Sequence, residues 1–233
     1  MKTDPRTIPD PAIWKRSDAD FVTTLREAGL DDLGALSSRT LGEVVTEHRS
    51  SWVRSATIGP TKVYVKTYDY STPADRRRGW FRTTWLAPSR AEREWRALRW
   101  LRDHGFVTPE PLLVGESRHF GVLRRAVLVT RAWDGSPVDR MLPDLPRGEA
   151  IELIEAIRSE VARWHQAGFR DRNLDLRNIL VRRERDGWAI AKIDSPRHRI
   201  VRPGRVDDAL ARADHARLDA DLARLGFASE VRE

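Results

Sequence analysis

Hydrophobic and polar positions switch repeatedly between a helical period and a period of two along this chain, and each switch marks a block of structure. Around Phe21, Val22, Leu25 and Leu30 the spacing is helical, with Ser17 or Asp18 as N-cap, which predicts a leader plus one helix within the first 40 residues. From Leu41 the period shortens to two. Gly42–Glu47, Trp52–Ile58 and Lys62–Tyr68 read as an antiparallel meander, with the Gly59-Pro60 turn between the last two. In "KVYVKTYDY" the alternation puts Val63 and Val65 on one face and Tyr64, Lys66 and Tyr68 on the other.

Helical spacing returns in "SRAEREWRALRWLRDHG", capped by Ser89, lined by Ala91, Trp95, Leu98 and Leu101, and ended by Gly105. Strands at Leu112–Val114 and Ala126–Thr130 follow, and Asp134-Gly135-Ser136-Pro137 reads as a hinge. A long amphipathic helix runs from about Arg147 to Gln166 and stops at Gly168. Beyond it, apolar Ile179-Leu180-Val181 turns through Asp186-Gly187 into a second strand that carries Asp194, and a helix from about Asp207 to Leu225 completes the pattern. The expected domains are an extension at 1–40, a sheet lobe at 41–133 and a short, mainly helical lobe at 134–233.

The 233 residues, 40% hydrophobic, suffice for a buried core as one domain or two small lobes. There is no cysteine, hence no disulfide framework and no thiolate metal site. The first residues, "MKTDPRTIPDP", have no apolar core of a signal peptide, and no run approaches the roughly 20 apolar residues of a membrane span. A soluble, cytoplasmic protein is the expectation. The net charge is +7, and only five of the 42 basic residues are lysines. That arginine bias suits phosphates or anionic lipid head groups. Acids are interleaved throughout and no zinc-finger spacing, RNP-like motif or basic heptad is present, so a nucleic-acid partner is not expected.

Chemistry concentrates in "GFRDRNLDLRNILV" (168–181) and "KIDSP" (192–196). The hairpin brings Asn178 and Asp194 to adjacent strand ends, where two oxygen-bearing side chains can hold the Mg²⁺ of a bound nucleotide, as the catalytic-loop Asn and the DFG Asp do in protein kinases. The block order is meander, strand lysine, acidic helix, two strands, hinge, long helix, loop, metal-type Asp, helix. That is the chain order of a two-lobed, α+β, protein-kinase-like fold. Lys66, in "VYVK", then corresponds to the strand lysine that binds the α/β-phosphates of ATP, and Glu94 is its natural partner on the next helix, with Glu92 as competitor. One expected part is missing: "TEHRSSW", between the first two strands, contains no glycine.

The chain resembles the lipopolysaccharide kinase (Kdo/WaaP) family from about Leu41 onward. The resemblance rests on "YVKTY" (64–68), "SRAEREWRALRWLRDHGFVTPEPLLVGE" (89–116), "HQAGF" running into "LRNILV" (165–181) and "KIDSPRHRIVRPG" (192–204). It implies an ATP-dependent kinase for a hydroxyl of a lipopolysaccharide-type sugar or glycolipid.

The loop departs from the H-R-D-x-x-x-x-N pattern, because five residues before Asn178 stands Asn173, whose amide cannot take a proton at neutral pH. Three readings stay open. Asp175 serves as base in its place, which is preferred; or Asp171 does so across a two-residue insertion, "DRN" being similar to the "DLN" of the Kdo-kinase branch; or the chain is a pseudokinase that binds nucleotide or a partner without efficient transfer. His165 reads as a packed or capping histidine. The segment "RRRGWFRTTWL" (76–86) offers aromatics and arginines to an anionic membrane surface, or tucks under the following helix.

Overall fold

The structure is a computed structural model that describes residues 13–70, 87–205 and 208–228. Two compact units divide the chain, with boundaries at Arg96/Ala97, Pro109/Glu110 and Ala132/Trp133. The basic-aromatic segment at 76–86 lies outside the described residues.

The first unit is built on a six-stranded sheet. Its strands are β1 (Ile13–Ser17), β2 (Glu43–Glu47), β3 (Ser51–Ile58), β4 (Thr61–Asp69), β5 (Pro111–His119) and β6 (Val122–Arg131). Their order across the sheet is β1-β5-β6-β4-β3-β2, with every neighbouring pair antiparallel. Val63 and Val65 point into the core as the alternation predicts, joining Ile58, Leu113, Val127 and Val129 under two helices, α1 (Ala19–Glu27) and α2 (Leu33–Leu36). Asp18 caps α1, its Oδ1 accepting from Phe21 N at 2.9 Å, and Asp32 caps α2 in the same way.

The first 40 residues therefore carry more than the single helix expected. Strand β1 pairs along β5, from Ile13 opposite Glu116 to Ser17 opposite Leu113. "IWKRS" gives no clear alternation, because an edge strand is defined by its main-chain pairing more than by burial of one face.

Helix α3 (Arg90–Asp103) begins in the first unit and continues in the second. Ser89 caps it, Oγ accepting from Glu92 N at 3.0 Å.

The second unit is centred on α5 (Arg147–Ala167), which buries Ala150, Leu153, Ile154, Ile157, Val161 and Trp164 along one stripe. Before it lie the two-residue β7 (Ser136–Pro137) and the short α4 (Val138–Met141). After it come β8 (Phe169–Arg170), the hairpin β9 (Ile179–Glu184) and β10 (Gly187–Lys192), β11 (Arg199–Ile200) and α6 (Ala209–Arg224). Strand β9 pairs with both β10 and β7, and β8 pairs with β11. Gly168 ends α5 at φ 101°, and a Cβ there would stand 2.4 Å from the carbonyl oxygen of Val201, so only glycine fits this corner.

Candidate active site

In the first unit, Lys66 sits in mid-strand on β4, opposite Val53 on β3 and Leu128 on β6. Its Nζ lies 2.8 Å from Glu94 Oε2. Glu94 is only 4% exposed and also accepts from Tyr68 Oη at 3.3 Å, while the Lys66 ammonium stands 5.6 Å from the centre of the Tyr68 ring. A buried carboxylate held by a lysine and a tyrosine keeps the ammonium at a fixed point while leaving it partly open to solvent. Glu92, the competitor, instead engages Arg96 one turn along the helix, at 2.5 Å. Tyr68 is a participant that alternation put on the right face but that sequence reasoning gave no role.

The turn between β2 and β3, which lacks glycine, is braced from outside. Arg39 donates to the carbonyls of His48 and Arg49, at 3.2 and 2.8 Å, and its guanidinium stacks 3.9 Å from the Trp52 ring centre. Side-chain bracing here holds a loop whose backbone has no glycine to close it tightly.

In the second unit, the loop from Asp171 to Asn178 is irregular and most of its side chains are buried. The residues at Arg172 and Asp194 both have left-handed backbones, φ 60° and 54°. Non-glycine residues adopt that conformation at a cost that the surroundings must offset, and such residues cluster at functional sites. The offset is visible. Asn173 donates from Nδ2 to Asp194 O and Oδ2, at 3.2 and 3.3 Å, and Asn178 donates from Nδ2 to Asn173 O at 3.2 Å. The hairpin register seats the pair as the sequence suggested, for Ile193 N donates to Asn178 O at 3.0 Å. Asn173, Asn178 and Asp194 thus form one network. With its amide nitrogen committed to Asn173, Asn178 retains Oδ1 as a hard oxygen donor, and Asn173 ties it to the Asp194 carboxylate. One amide oxygen and one carboxylate fit Mg²⁺, which takes few protein ligands and completes its shell with phosphates and water.

The two acids of the loop occupy other environments. Asp175 accepts from Arg217 Nε at 2.5 Å through Oδ1 and from Arg177 at 3.0 Å through Oδ2, so both of its oxygens are engaged. Asp171 is 2% exposed and lies 3.1 Å from the Nζ of a fully buried Lys192. That contact is an ion pair without hydrogen-bond alignment, since the ammonium donates to the carbonyls of Asn178 and Ile193 instead. Burial pushes the Asp171 carboxyl up to about 6, with the Lys192 charge opposing the shift.

What fixes this loop comes from α6. Asp214, 1% exposed, accepts from Asp171 N at 2.9 Å and Arg172 N at 2.8 Å, and its Oδ2 lies 3.3 Å from His165 Nε2. Two turns further on, Asp221 accepts from Leu176 N at 2.9 Å. His165 is therefore a packed residue, 3% exposed, as its helical spacing suggests. Asp214, Arg217, Asp221 and Lys192 were all missed from the sequence. The available signal was the buried stripe Ala211, Asp214, Leu218, Asp221, Leu222, in which acids stand where apolar residues are expected.

A sheet-borne Lys–Glu pair and a helix-braced Asn–Asp loop, in this chain order, define a protein-kinase-like fold. Solved structures agree. WaaP in complex with acyl carrier protein superposes with a TM-score of 0.65 at 18% identity, covering 92% of this chain and 82% of that one. The Rio2 kinase from Chaetomium thermophilum, in an ADP/Mg²⁺-phosphoaspartate complex, gives 0.53 at 17% identity, covering 91% and 69%. No curated protein sequence matches the chain. The family model for the lipopolysaccharide kinase (Kdo/WaaP) family matches residues 35–225, and the chain belongs to that family. No helix among the described residues is long and apolar enough to cross a membrane.

Proposed function

We propose that this chain is a phosphotransferase that uses ATP and Mg²⁺ to phosphorylate a hydroxyl of a lipopolysaccharide-type sugar or glycolipid, in the cytoplasm and at the inner face of the membrane. The observation that carries the reading is the 2.8 Å pair between Lys66 and Glu94, an ammonium held by a buried acid in a chain of this family. Lys66 binds the α/β-phosphates and Glu94 holds Lys66 for that task. Asn178 and Asp194 would hold the Mg²⁺ of the bound nucleotide, which would supply charge neutralisation to the transferring phosphoryl group.

Asn173 orients the acceptor hydroxyl. In the transfer, the acceptor oxygen bonds to the γ-phosphorus, the bond from that phosphorus to the β–γ bridging oxygen breaks, and the hydroxyl proton passes to a phosphoryl oxygen as ADP leaves. Neither acid of the loop is assigned as base. Both Asp175 oxygens are taken by arginines, and Asp171 is buried against Lys192, whereas a base must reach the proton it abstracts. A loose transition state depends mainly on positioning and charge, which Asn173 and Lys66 supply. The family match lends no support to the alternative of nucleotide binding without transfer.

Thermal unfolding with millimolar ATP, with and without Mg²⁺, tests the nucleotide reading: a Mg²⁺-dependent rise in Tm is expected, and Asp194→Ala is expected to abolish the Mg²⁺-dependent part. No shift at millimolar ATP would sink it. Transfer of labelled γ-phosphate to isolated lipopolysaccharide tests the acceptor.

A further inference from the structure

The second unit contains a cleft of about 550 Å³ that has no part in the nucleotide chemistry, a volume within the range of small-ligand sites. It is lined by the turn Asp175-Leu176-Arg177, within the same loop that carries Asn173 and Asn178, and by Arg217, Asp221 and Arg224 of α6. The turn is tied to both asparagines, since Asp175 N donates to Asn173 O and Asn178 N donates to Asp175 O, each at 2.9 Å. A ligand in this cleft would therefore touch the loop that orients the reacting hydroxyl.

The lining chemistry is specific. Three arginine side chains, 46 to 72% exposed, each pair with an aspartate: Arg177 and Arg217 with Asp175, Arg224 with Asp221. A guanidinium has five donors, so one bond to an aspartate leaves others for a ligand. Asp139, from α4, adds a third acid to the lining. Three cations against three anions give no net charge, so a bare phosphate gains little here and meets carboxylates beside each arginine. A ligand whose groups both donate and accept suits alternating guanidinium and carboxylate. Vicinal sugar hydroxyls do so.

We infer that this cleft is the acceptor subsite, and that it binds the hydroxyl-rich ring of the sugar to be phosphorylated through Arg177, Arg224 and Asp139. The inference rests on the kinase reading above, and its test separates the two.

The probe is the lipid-free oligosaccharide obtained by deacylating lipopolysaccharide, titrated calorimetrically into the full chain without nucleotide, with inorganic phosphate as a second titrant. Wild type is expected to bind the oligosaccharide, and the double variant Arg177→Ala/Arg224→Ala about tenfold or more weakly, the loss typical of removing charge-assisted hydrogen bonds. Both side chains are largely exposed, so the variant is expected to fold, and Tm without ligand checks this. Asp139→Asn, which keeps shape but loses the carboxylate, is a second route to the same loss. Oligosaccharide affinity unchanged in both variants, no oligosaccharide binding by wild type, or phosphate binding as tight as oligosaccharide would each overturn the subsite. ATP-dependent stabilisation is measured on the same samples. If it persists while the oligosaccharide results fail, the subsite falls and the kinase reading stands; if it is absent, the kinase reading falls first.

Discussion

The two units hold their key side chains by opposite means. Lys66 stands on a central strand with neighbours on both sides, and its partner Glu94 stands on a regular helix, so main-chain hydrogen bonding fixes both positions and one ion pair links them. Asn173 and Asn178 stand on a loop that has no ladder. Their geometry is borrowed from buried charges on another element, Asp214 and Asp221 of α6, which accept from the loop's own amides. Position secured by regular structure survives loss of a side chain. Position secured by side chains does not, so the same kind of substitution should have different consequences in the two units.

The sharpest way to break this contrast is Asp214→Ala. It leaves the amides of Asp171 and Arg172 without their acceptor, and two unmet buried donors cost roughly 2–6 kcal/mol together. Urea unfolding should show that loss, with transfer activity falling alongside; Asp214→Asn, which retains one carbonyl acceptor, should lose less. Lys66→Met is the counterpart in the first unit. It is expected to reduce kcat/KM by on the order of 100-fold and to cost up to about 3 kcal/mol at neutral pH, because the buried Glu94 carboxylate loses its cation while the strand itself stays intact. Should Lys66→Met destabilise the chain as much as Asp214→Ala, the contrast is wrong.

A smaller effect concerns the buried Asp171. Its carboxyl titrates near 6 in the folded chain against 3.8 ordinarily. The folded state then binds the proton more tightly than the unfolded state, so its contribution to stability falls as pH rises from about 4 to 6 and stays lost above that. Asp171→Asn should remove this part of the slope in a series of denaturant titrations across pH 4–7, and an identical slope in both proteins would rule it out. Smallest is Ser89→Ala, which removes the N-cap of α3. A loss of about 1 kcal/mol is expected, with little change in transfer, since the helix that carries Glu94 keeps its other bonds.

The legible parts of the fold follow the same division. Periodicity located the strands from Glu43 to Asp69, the three long helices and the hairpin whose ends carry Asn178 and Asp194, because in each case side-chain burial follows the regular period of the backbone. The kinase-like order of these blocks, rather than the period itself, pointed to Lys66 and to Glu94 on the next helix. Asp214 and Asp221 escaped because a buried acid on a helix has the same sequence appearance as a solvated one, and only the distant amides of Asp171, Arg172 and Leu176 give it a reason to be inside. Lys192 escaped likewise, since its partner Asp171 lies 21 residues earlier in an irregular loop. For Asp175 the sequence offered a carboxylate near Asn173, whereas the structure engages it with Arg217, a residue on an element that loop motifs do not mention.

The dependence of the loop on α6 has a consequence for the order in which the protein is made. The amides of Asp171 and Leu176 meet their acceptors only 43 and 45 residues later in the chain. At typical synthesis rates of roughly 5–20 residues per second, the ribosome adds those residues in about 2–9 s. Through that interval every strand of the six-stranded sheet is already made, while the loop has been synthesised without its anchors. Ribosome-bound chains stopped before residue 214 are expected to leave the Asp171 and Arg172 amides open to hydrogen exchange, and chains extended past α6 and clear of the exit tunnel to close them.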